Sequence, residues 1–249
     1  MPTTLRVCIL QQSIEGYNAA PFGFGQVGAK NVTLSFWVKG AKTGIHCIAL
    51  RNSAFTRSYV AEYTILTTGW EYKTITIPVD VAGAWTYDSG AGVLLTFCLA
   101  SSSLYQTTSN SWQAGNFLST ANQVNELDTV NNTFKVALVQ LESGSVATQF
   151  ETRGMGQELT LCQRYYQTLS DFLVSGNTGA GAGIYNDVTL ATTMRSPPTA
   201  TVSTAITYFN SSAYTFNIIT VNKFRIGLTI TTSGYGYGFN GLLTFSADL

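Results

Sequence analysis

Short apolar runs, many of them alternating with polar residues, recur along this chain and leave it few ways to fold. The run at 71–78, EYKTITIP, places Ile75 and Ile77 on one face and Tyr72 and Thr74 on the other. Successive side chains of a β-strand point to opposite faces, so this pattern predicts a half-buried strand. The run at 92–100, GVLLTFCLA, is apolar on both faces and predicts a central strand that is buried on both sides.

Clusters of Gly, Asn, Ser and Asp separate the strands that are predicted in the first 150 residues. These strands are Asn31–Lys39, Ile45–Arg51, Ser58–Leu66, Glu71–Pro78, Gly92–Ala100 and Thr133–Leu141. Because each sheet must bury one face, many short strands without helices between them predict a sandwich of two sheets. The predicted fold class is all-β.

A helix is predicted at Met155–Gln167, where Leu159 and Cys162 fall at helical spacing and Gly154 and Gly156 mark a break. The strands predicted after it are Asp187–Met194, Ala200–Phe209, Ala213–Val221, Phe224–Thr232 and Gly241–Ala247. The stretch GYGYGFNG at 234–241 is predicted to be a long turn. The resulting organisation is a sandwich domain at 1–150, a bend and linking helix at 151–168 and a smaller C-terminal β domain at 169–249.

The low charge narrows the classes of function. Charged residues make up 10% of the chain, 13 basic and 13 acidic, against roughly 25% in an ordinary soluble domain. The sequence has no basic stripe that would release counterions from phosphates, so no nucleic-acid partner is expected. No apolar stretch approaches the roughly 20 residues of a membrane span, and the first residues lack a signal-peptide pattern. Membrane insertion is therefore not expected either.

The four cysteines, Cys8, Cys47, Cys98 and Cys162, are widely spaced, and each lies within an apolar stretch. A disulfide scaffold or a zinc site would have closer or clustered spacing. We expect small buried apolar side chains in a protein assembled in a reducing cytoplasm.

The stretch VQLESGSVATQFETRGMGQELTLCQRYY at 139–166 resembles a segment of bacteriophage tail-fibre and receptor-binding proteins. The matching parts are Val139–Glu142, Ala147–Glu151, Arg153 and Glu158–Tyr166, which correspond to a VQLE strand, an ATxFE bend, an Arg and an ELxLCQRYY helix. Further similar segments are Thr33–Gly40, Arg57–Tyr59 and Trp70–Asp80 upstream, and Thr193–Thr199 and Phe245–Leu249 downstream. The resemblance therefore spans nearly the whole chain.

The resemblance implies a carbohydrate-binding-like jelly-roll, a linking helix and a C-terminal β domain in a structural protein of the virion. Such fibres usually work as homotrimers, and they contact other phage tail or capsid proteins or a host cell-surface polysaccharide. The family supplies no catalytic residues, so the expectation is a non-enzymatic protein without a cofactor. In related proteins the jelly-roll continues upstream of the strand at Leu5–Gln12. Either this chain is a minimal version, or the first strands are absent or donated by a neighbour.

Aromatic residues in or beside loops are the candidates for glycan contact, because indole and phenol rings stack on the apolar faces of sugars. They are Trp70, Trp85, Tyr87, Tyr105 and Trp112 in the first domain, and Tyr235, Tyr237 and Phe239 in the glycine-rich stretch. The alternative is that these rings lie in the core or in subunit contacts, including a threefold axis, whereas Trp37 is expected in the core. A structural role is assigned to Glu151, Arg153, Glu158, Arg164 and Tyr165, with Glu151 paired to Arg153 or Arg164.

Catalytic and metal sites are weaker candidates. The chain has one histidine, His46, and a single histidine in a strand is more often structural than a base. Gly23, Gly25 and Gly28 spell a GxGxxG motif, but a strand is predicted after it where a dinucleotide site needs a helix. Asp80 and Asp88 flank a loop and suggest calcium only weakly, so no metal is expected.

Two other functions stay open on the sequence. A glycan depolymerase needs a pair of carboxylates across a cleft, and 13 acidic residues leave room for one. A capsid decoration or fibre-base protein would bind no host at all.

Overall fold

A computed structural model describes residues 6–218, 220–239 and 241–249, and its secondary structure is an all-β fold with a short helix. The predicted fold class is therefore confirmed. The chain divides between Glu151 and Thr152 into two compact units.

The first unit contains two antiparallel sheets. The five-stranded sheet has, in spatial order, β1 (Val7–Glu15), β6 (Ala91–Ser101), β3 (Gly44–Asn52), β4 (Arg57–Ile65) and β7 (Trp112–Ala114). The three-stranded sheet has β5 (Glu71–Ile77), β2 (Val32–Gly40) and β8 (Phe134–Ser143). The first unit also contains a short helix, α1 (Gly16–Ala19), and two 3₁₀ turns, Ala20–Phe22 and Ser103–Tyr105.

The core of the first unit lies between these sheets. Phe36 of β2 packs edge-on against Phe97 of β6 and Tyr63 of β4, with ring centroids 5.1 and 5.2 Å apart. Strand β6 is buried on both faces, because Cys98 packs with Cys47 in a second cluster. The predicted double burial of this strand is confirmed, and so is the alternation along β5.

The second unit contains the helix α2 (Met155–Gln163) and three antiparallel sheets of three strands each, in the described residues. The first sheet has the order β10 (Leu173–Thr178), β16 (Gly234–Phe239), β13 (Thr207–Phe209). The second sheet has the order β11 (Gly183–Thr189), β15 (Lys223–Thr229), β14 (Thr215–Ile218). The third sheet has the order β12 (Thr199–Val202), β17 (Leu242–Ser246), β9 (Tyr166–Ser170). The three sheets enclose an apolar core, in which the ring centroids of Phe224 and Phe245 lie 4.3 Å apart.

Several predicted element boundaries are wrong. The helix ends at Gln163 rather than at Gln167, because Tyr166 begins β9 and pairs with Ser246 of β17. The stretch predicted as a long turn forms β16. The strand predicted at Ala200–Phe209 is two strands in different sheets, β12 and β13. The strand predicted at Asp187–Met194 ends at Thr189. Beyond it, the backbone N–H groups of Leu190 and Met194 donate to the carbonyls of Asn222 and Val221.

Parts of three predicted segments, Leu5, Ile219 and Asn240, lie outside the described residues. Two predicted core side chains are placed on the surface. Trp37 is 38% exposed, because its neighbours Phe36 and Val38 take the inward positions of β2. Cys162 is exposed on α2, whereas Cys47 and Cys98 are buried and Cys8 is intermediate.

Candidate functional site

Strand β16 presents aromatic rings to solvent from one side of its sheet. Its sequence, GYGYGF, places Tyr235, Tyr237 and Phe239 on one face, because side chains alternate along a strand. Tyr235 and Phe239 are exposed and Tyr237 is half-buried, whereas the glycines between them, Gly236 and Gly238, are buried. The alternation therefore separates an outer aromatic side from an inner side without side chains.

The inner side needs glycine because the core approaches the backbone closely. A Cβ atom on Gly238 would lie 2.7 Å from the Cε1 atom of Tyr214, and one on Gly236 would lie 2.5 Å from Cδ1 of Ile230. Real Cβ atoms do not approach other atoms this closely, so an alanine would displace the core. The Tyr214 hydroxyl donates to the carbonyl of Gly238, and burial raises the pKa of Tyr214 to about 12, so it stays a neutral donor.

Neighbouring strands extend the aromatic surface. Phe209 of β13 lies opposite Tyr237, and Leu173 of β10 lies opposite Phe239. We call this surface the aromatic face, and its members are Leu173, Ser175, Asn177, Thr207, Phe209, Tyr235, Tyr237 and Phe239. Leu173, Phe209, Tyr235 and Phe239 are each between 44% and 54% exposed.

The aromatic face offers flat rings beside uncharged polar groups. The rings of Phe209 and Tyr237 lie 5.5 Å apart and nearly parallel, and those of Tyr235 and Tyr237 lie 6.1 Å apart. Ser175, Asn177 and Thr207 add hydroxyl and amide groups, and none of the eight side chains is an acid or a cation. This chemistry suits a neutral ligand with apolar faces and hydroxyl groups. Sequence reasoning found Tyr235, Tyr237 and Phe239 but missed Phe209, which only strand pairing brings to them.

Three of the other predicted ligand residues, Trp85, Tyr87 and Trp112, contact Phe24 at the edge of the first unit's core. Trp85 stacks on buried Phe24 at 4.5 Å and contacts Trp112 edge-on at 5.6 Å. The indole nitrogen of Trp85 donates to the carbonyl of Ala82, that of Trp112 donates to Pro78, and the Tyr87 hydroxyl donates to Phe24. Their polar tips are therefore engaged by the backbone, and the rings of Trp85 and Trp112 pack against the core of the first unit.

The remaining two predicted aromatics lie apart from each other. Tyr105 is half-buried and packs against the cluster that contains Cys47 and Cys98. Trp70 is exposed just before β5. A further exposed pair was missed by the sequence reasoning: Trp37 of β2 lies opposite Tyr72 of β5, with ring centroids 5.6 Å apart. The strand alternation that exposes Tyr72 was the available signal, since the cross-strand partner of an outward residue also points outward.

His46 is not accessible to a substrate. Its side chain is completely buried, and its Nε2 atom lies 2.6 Å from Oε1 of Glu126. The ring lies between those of Tyr63 and Phe134, at centroid distances of 5.7 and 5.9 Å. The arrangement is that of a structural pair in the core.

The loop considered for calcium binding and the glycine motif considered for nucleotide binding both have structural roles. Both carboxylate oxygens of Asp80 bind the Arg57 guanidinium, at 2.5 and 2.9 Å, and Asp88 accepts the N–H of Gly90. Within the described residues, no cluster of His, Cys, Asp and Glu could hold a metal ion. Gly23 and Gly25 lie in turns with positive φ, and the next regular element is the strand β2.

Both backbone and side-chain hydrogen bonds hold the segment that carries the family resemblance. The Gln140 side chain accepts the N–H of Glu151, and the carbonyls of Arg164 and Tyr165 accept the N–H groups of Arg195 and Ala247. Arg153 and Glu158 form an exposed ion pair at 3.3 Å, of a kind worth at most about 1 kcal/mol. The predicted pairing of Glu151 with an arginine stays a prediction.

None of the helices formed by the described residues is long and apolar enough to cross a membrane. Comparison with known families, curated proteins and solved structures finds no match to this chain.

Proposed function

We propose that this chain is a structural protein of a bacteriophage virion, a subunit of a tail fibre or receptor-binding appendage that recognises a neutral glycan of the host surface. The aromatic face is the observation that carries the proposal. The sequence resemblance at 139–166 and the low charge of the chain support it. In this proposal the first unit is a jelly-roll, the protein is not an enzyme, and it works as a homotrimer.

Each ring of the aromatic face contributes modest affinity. An aromatic contact is worth about 0.5–1.5 kcal/mol beyond its buried area, so one ring alone binds weakly. Several copies of the face in one appendage would bind together, and linked sites raise avidity by roughly 10²–10⁴ without new contacts. The weak affinity of one ring and the gain in avidity from linked copies favour a symmetric fibre over a single binding module.

Binding of purified chain to bacterial capsular polysaccharide and lipopolysaccharide, immobilised as a panel, tests the proposal. Tyr235→Ala and Phe209→Ala should each weaken binding by about tenfold, as the loss of roughly 1.4 kcal/mol predicts. Tyr17→Ala, which removes an exposed tyrosine of the first unit, is the matched control and should bind like the parent. Failure of the parent chain to bind any glycan of its host would overturn glycan recognition.

Imaging of intact particles tests the virion role. Subunits at a distal tail tip with the aromatic face outward support receptor binding. Subunits spread over the capsid with that face buried against neighbours would instead identify a decoration protein. Release of reducing ends from the same polysaccharides would identify a depolymerase.

A further inference from the structure

Arg51 of β3 is a buried cation whose hydrogen-bond partners are all neutral. The residue is 3% exposed. Its Nη1 atom donates to Oδ1 of Asn116 at 2.6 Å, and its Nη2 atom donates to Oε1 of Gln11 at 2.5 Å and to Oγ1 of Thr96 at 3.1 Å. In the part of the chain that the structure describes, no ion pair includes Arg51. Buried charges are normally paired, so the missing carboxylate calls for an explanation.

One donor of the Arg51 guanidinium is left without an acceptor. The Nε atom is buried and has no hydrogen-bond partner among the described residues. Burial lowers the pKa of Arg51 to about 10, so the side chain is still charged at neutral pH. The Nε–H group and one N–H of Nη2 lie along the same edge of a guanidinium, and this edge matches the two oxygens of a carboxylate. In Arg51, this edge is therefore only half occupied, and by an amide oxygen.

Two other arginines of the chain show what the same edge binds. Arg57 donates from Nε and Nη2 to the two carboxylate oxygens of Asp80, at 2.5 and 2.9 Å. Arg225 donates from Nε and Nη2 to the two carboxylate oxygens of Asp187, at 2.6 and 3.1 Å. Arg51 is more deeply buried than either of them. It is therefore the arginine that most needs a carboxylate, and its edge lacks one.

The Gln11 side chain lies where one carboxylate oxygen would bind. Its Oε1 atom accepts from Nη2 of Arg51 and, at 3.3 Å, from Oγ1 of Thr96, so two donors converge on one oxygen position. Gln11 is exposed on β1, an edge strand of the five-stranded sheet. A carboxamide has the planar shape and nearly the size of a carboxylate. Rotation of the Gln11 side chain toward solvent therefore opens a space that a carboxylate fits.

We propose that the Nε–Nη2 edge of Arg51 binds the carboxylate of a small organic acid or acidic sugar, which displaces the side chain of Gln11. Phe55 lies over one face of the guanidinium, with 5.1 Å between Cζ and the ring centroid, and is 44% exposed. It places an apolar ring beside the bound acid. A planar carboxylate fits the space of the carboxamide better than a tetrahedral phosphate. This site belongs to the first unit and does not depend on the aromatic face or on the function proposed from it.

The NMR signal of the Arg51 Nε–H group, recorded on the full chain labelled with ¹⁵N-arginine, tests the proposal. Its loss in Arg51→Lys identifies the signal. Sodium acetate and sodium glucuronate, added at constant ionic strength, should shift the signal saturably, because the Nε–H group gains a charged acceptor. A larger response to glucuronate would identify an acidic sugar, and equal responses would identify the carboxylate group alone. A signal that neither carboxylate moves, or that phosphate moves equally, would overturn the proposal.

Substitutions of Gln11 test the displacement step. Gln11→Ala removes the competing amide and should tighten glucuronate binding by about tenfold, as expected where the open form is about a tenth of the parent population. Gln11→Glu supplies a carboxylate from the chain itself, so it should raise the Tm and abolish the response to glucuronate. Gln12→Glu introduces the same residue at the next exposed position, which points to the opposite side of β1, and should change neither.

These variants also separate a binding site from a purely structural arginine. A higher Tm of Gln11→Glu with no carboxylate bound by the parent or by Gln11→Ala would make Arg51 a structural residue and overturn the proposal. A response to glucuronate that survives Gln11→Glu would overturn it as well.

Discussion

The Nε2 atom of His46 on β3 lies 2.6 Å from the Oε1 atom of Glu126, and the two side chains are 0% and 3% exposed. Glu126 belongs to the loop between β7 and β8, and its backbone N–H donates to the carbonyl of Leu99 on β6. The pair therefore ties a long loop to the centre of the five-stranded sheet. Its location explains why the chain's one histidine serves the fold.

Removing the His46 imidazole should lower the free energy of unfolding. His46→Phe keeps an aromatic ring between Tyr63 and Phe134 but leaves the buried carboxylate of Glu126 without its imidazole partner. Leaving a buried polar group without its hydrogen-bond partner destabilises a protein by about 1–3 kcal/mol. Urea unfolding of His46→Phe should show a loss of this size.

The double variant separates the loss of the hydrogen bond from the cost of leaving the buried Glu126 side chain unsatisfied. Adding Glu126→Leu to His46→Phe removes both partners, and apolar replacements of a whole buried pair are often neutral. The double variant should therefore be more stable than His46→Phe alone. If it is less stable, the two side chains stabilise the fold through their packing rather than through their hydrogen bond.

Substitution of Gly238 in β16 should lower the stability of the fold. Gly238→Ala places a methyl group 2.7 Å from the ring of Tyr214, and overpacking of this kind costs about 1–3 kcal/mol. Gly179→Ala, in the turn after β10, meets no atom within 4 Å and is the control. Thermal unfolding should show a lower Tm for Gly238→Ala only. Equal stability of the two variants would contradict the close packing of β16 on the core.

The Asp80 carboxylate should stabilise the loop that carries Trp85. Asp80 is buried, binds Arg57 with both oxygens and accepts the N–H of Ala82. Hydrogen bonds to charged groups are each worth about 1.5–3 kcal/mol, so Asp80→Asn should lower the free energy of unfolding by an amount in this range. It should also change the fluorescence of Trp85. Asp88→Asn, at an exposed turn position of the same loop, should change the free energy of unfolding by less than about 1 kcal/mol.

The parts of the fold that were predictable from the sequence are those set by local alternation. Burial along β5 follows the two-residue period, and the apolar run of β6 is buried on both faces. Local pattern fixes these strands because each side chain's direction follows from its position in the strand. Helix α2 was located from the helical spacing of its apolar residues, which is also a local pattern, although its end was misplaced.

The remaining errors come from contacts between distant residues. A GYGYGF sequence has a local preference for turns, and it forms β16 because Tyr214 and Ile230 require a strand without side chains on that side. Trp37 points outward because Phe36 and Val38 occupy the core, and the FWV sequence does not reveal which register is inside. Three of the four aromatic residues of the aromatic face were predicted, and Phe209 joins them only through strand pairing.

The carboxyl group of Glu71 should titrate far below its ordinary range. Lys73 lies 2.7 Å away, and the backbone N–H groups of Thr67 and Leu66 donate to the same carboxylate. These contacts lower the pKa of Glu71 from 4.5 to about 2, with Lys73 as the largest cause. Because the folded pKa is depressed, the stabilisation is present above about pH 4.5 and is lost as the pH falls toward 2. NMR titration of the Glu71 carboxyl carbon should show a midpoint near pH 2. Lys73→Met should raise that midpoint, whereas Lys135→Met on β8 of the same sheet should not, and a parent midpoint near 4.5 would contradict the contact.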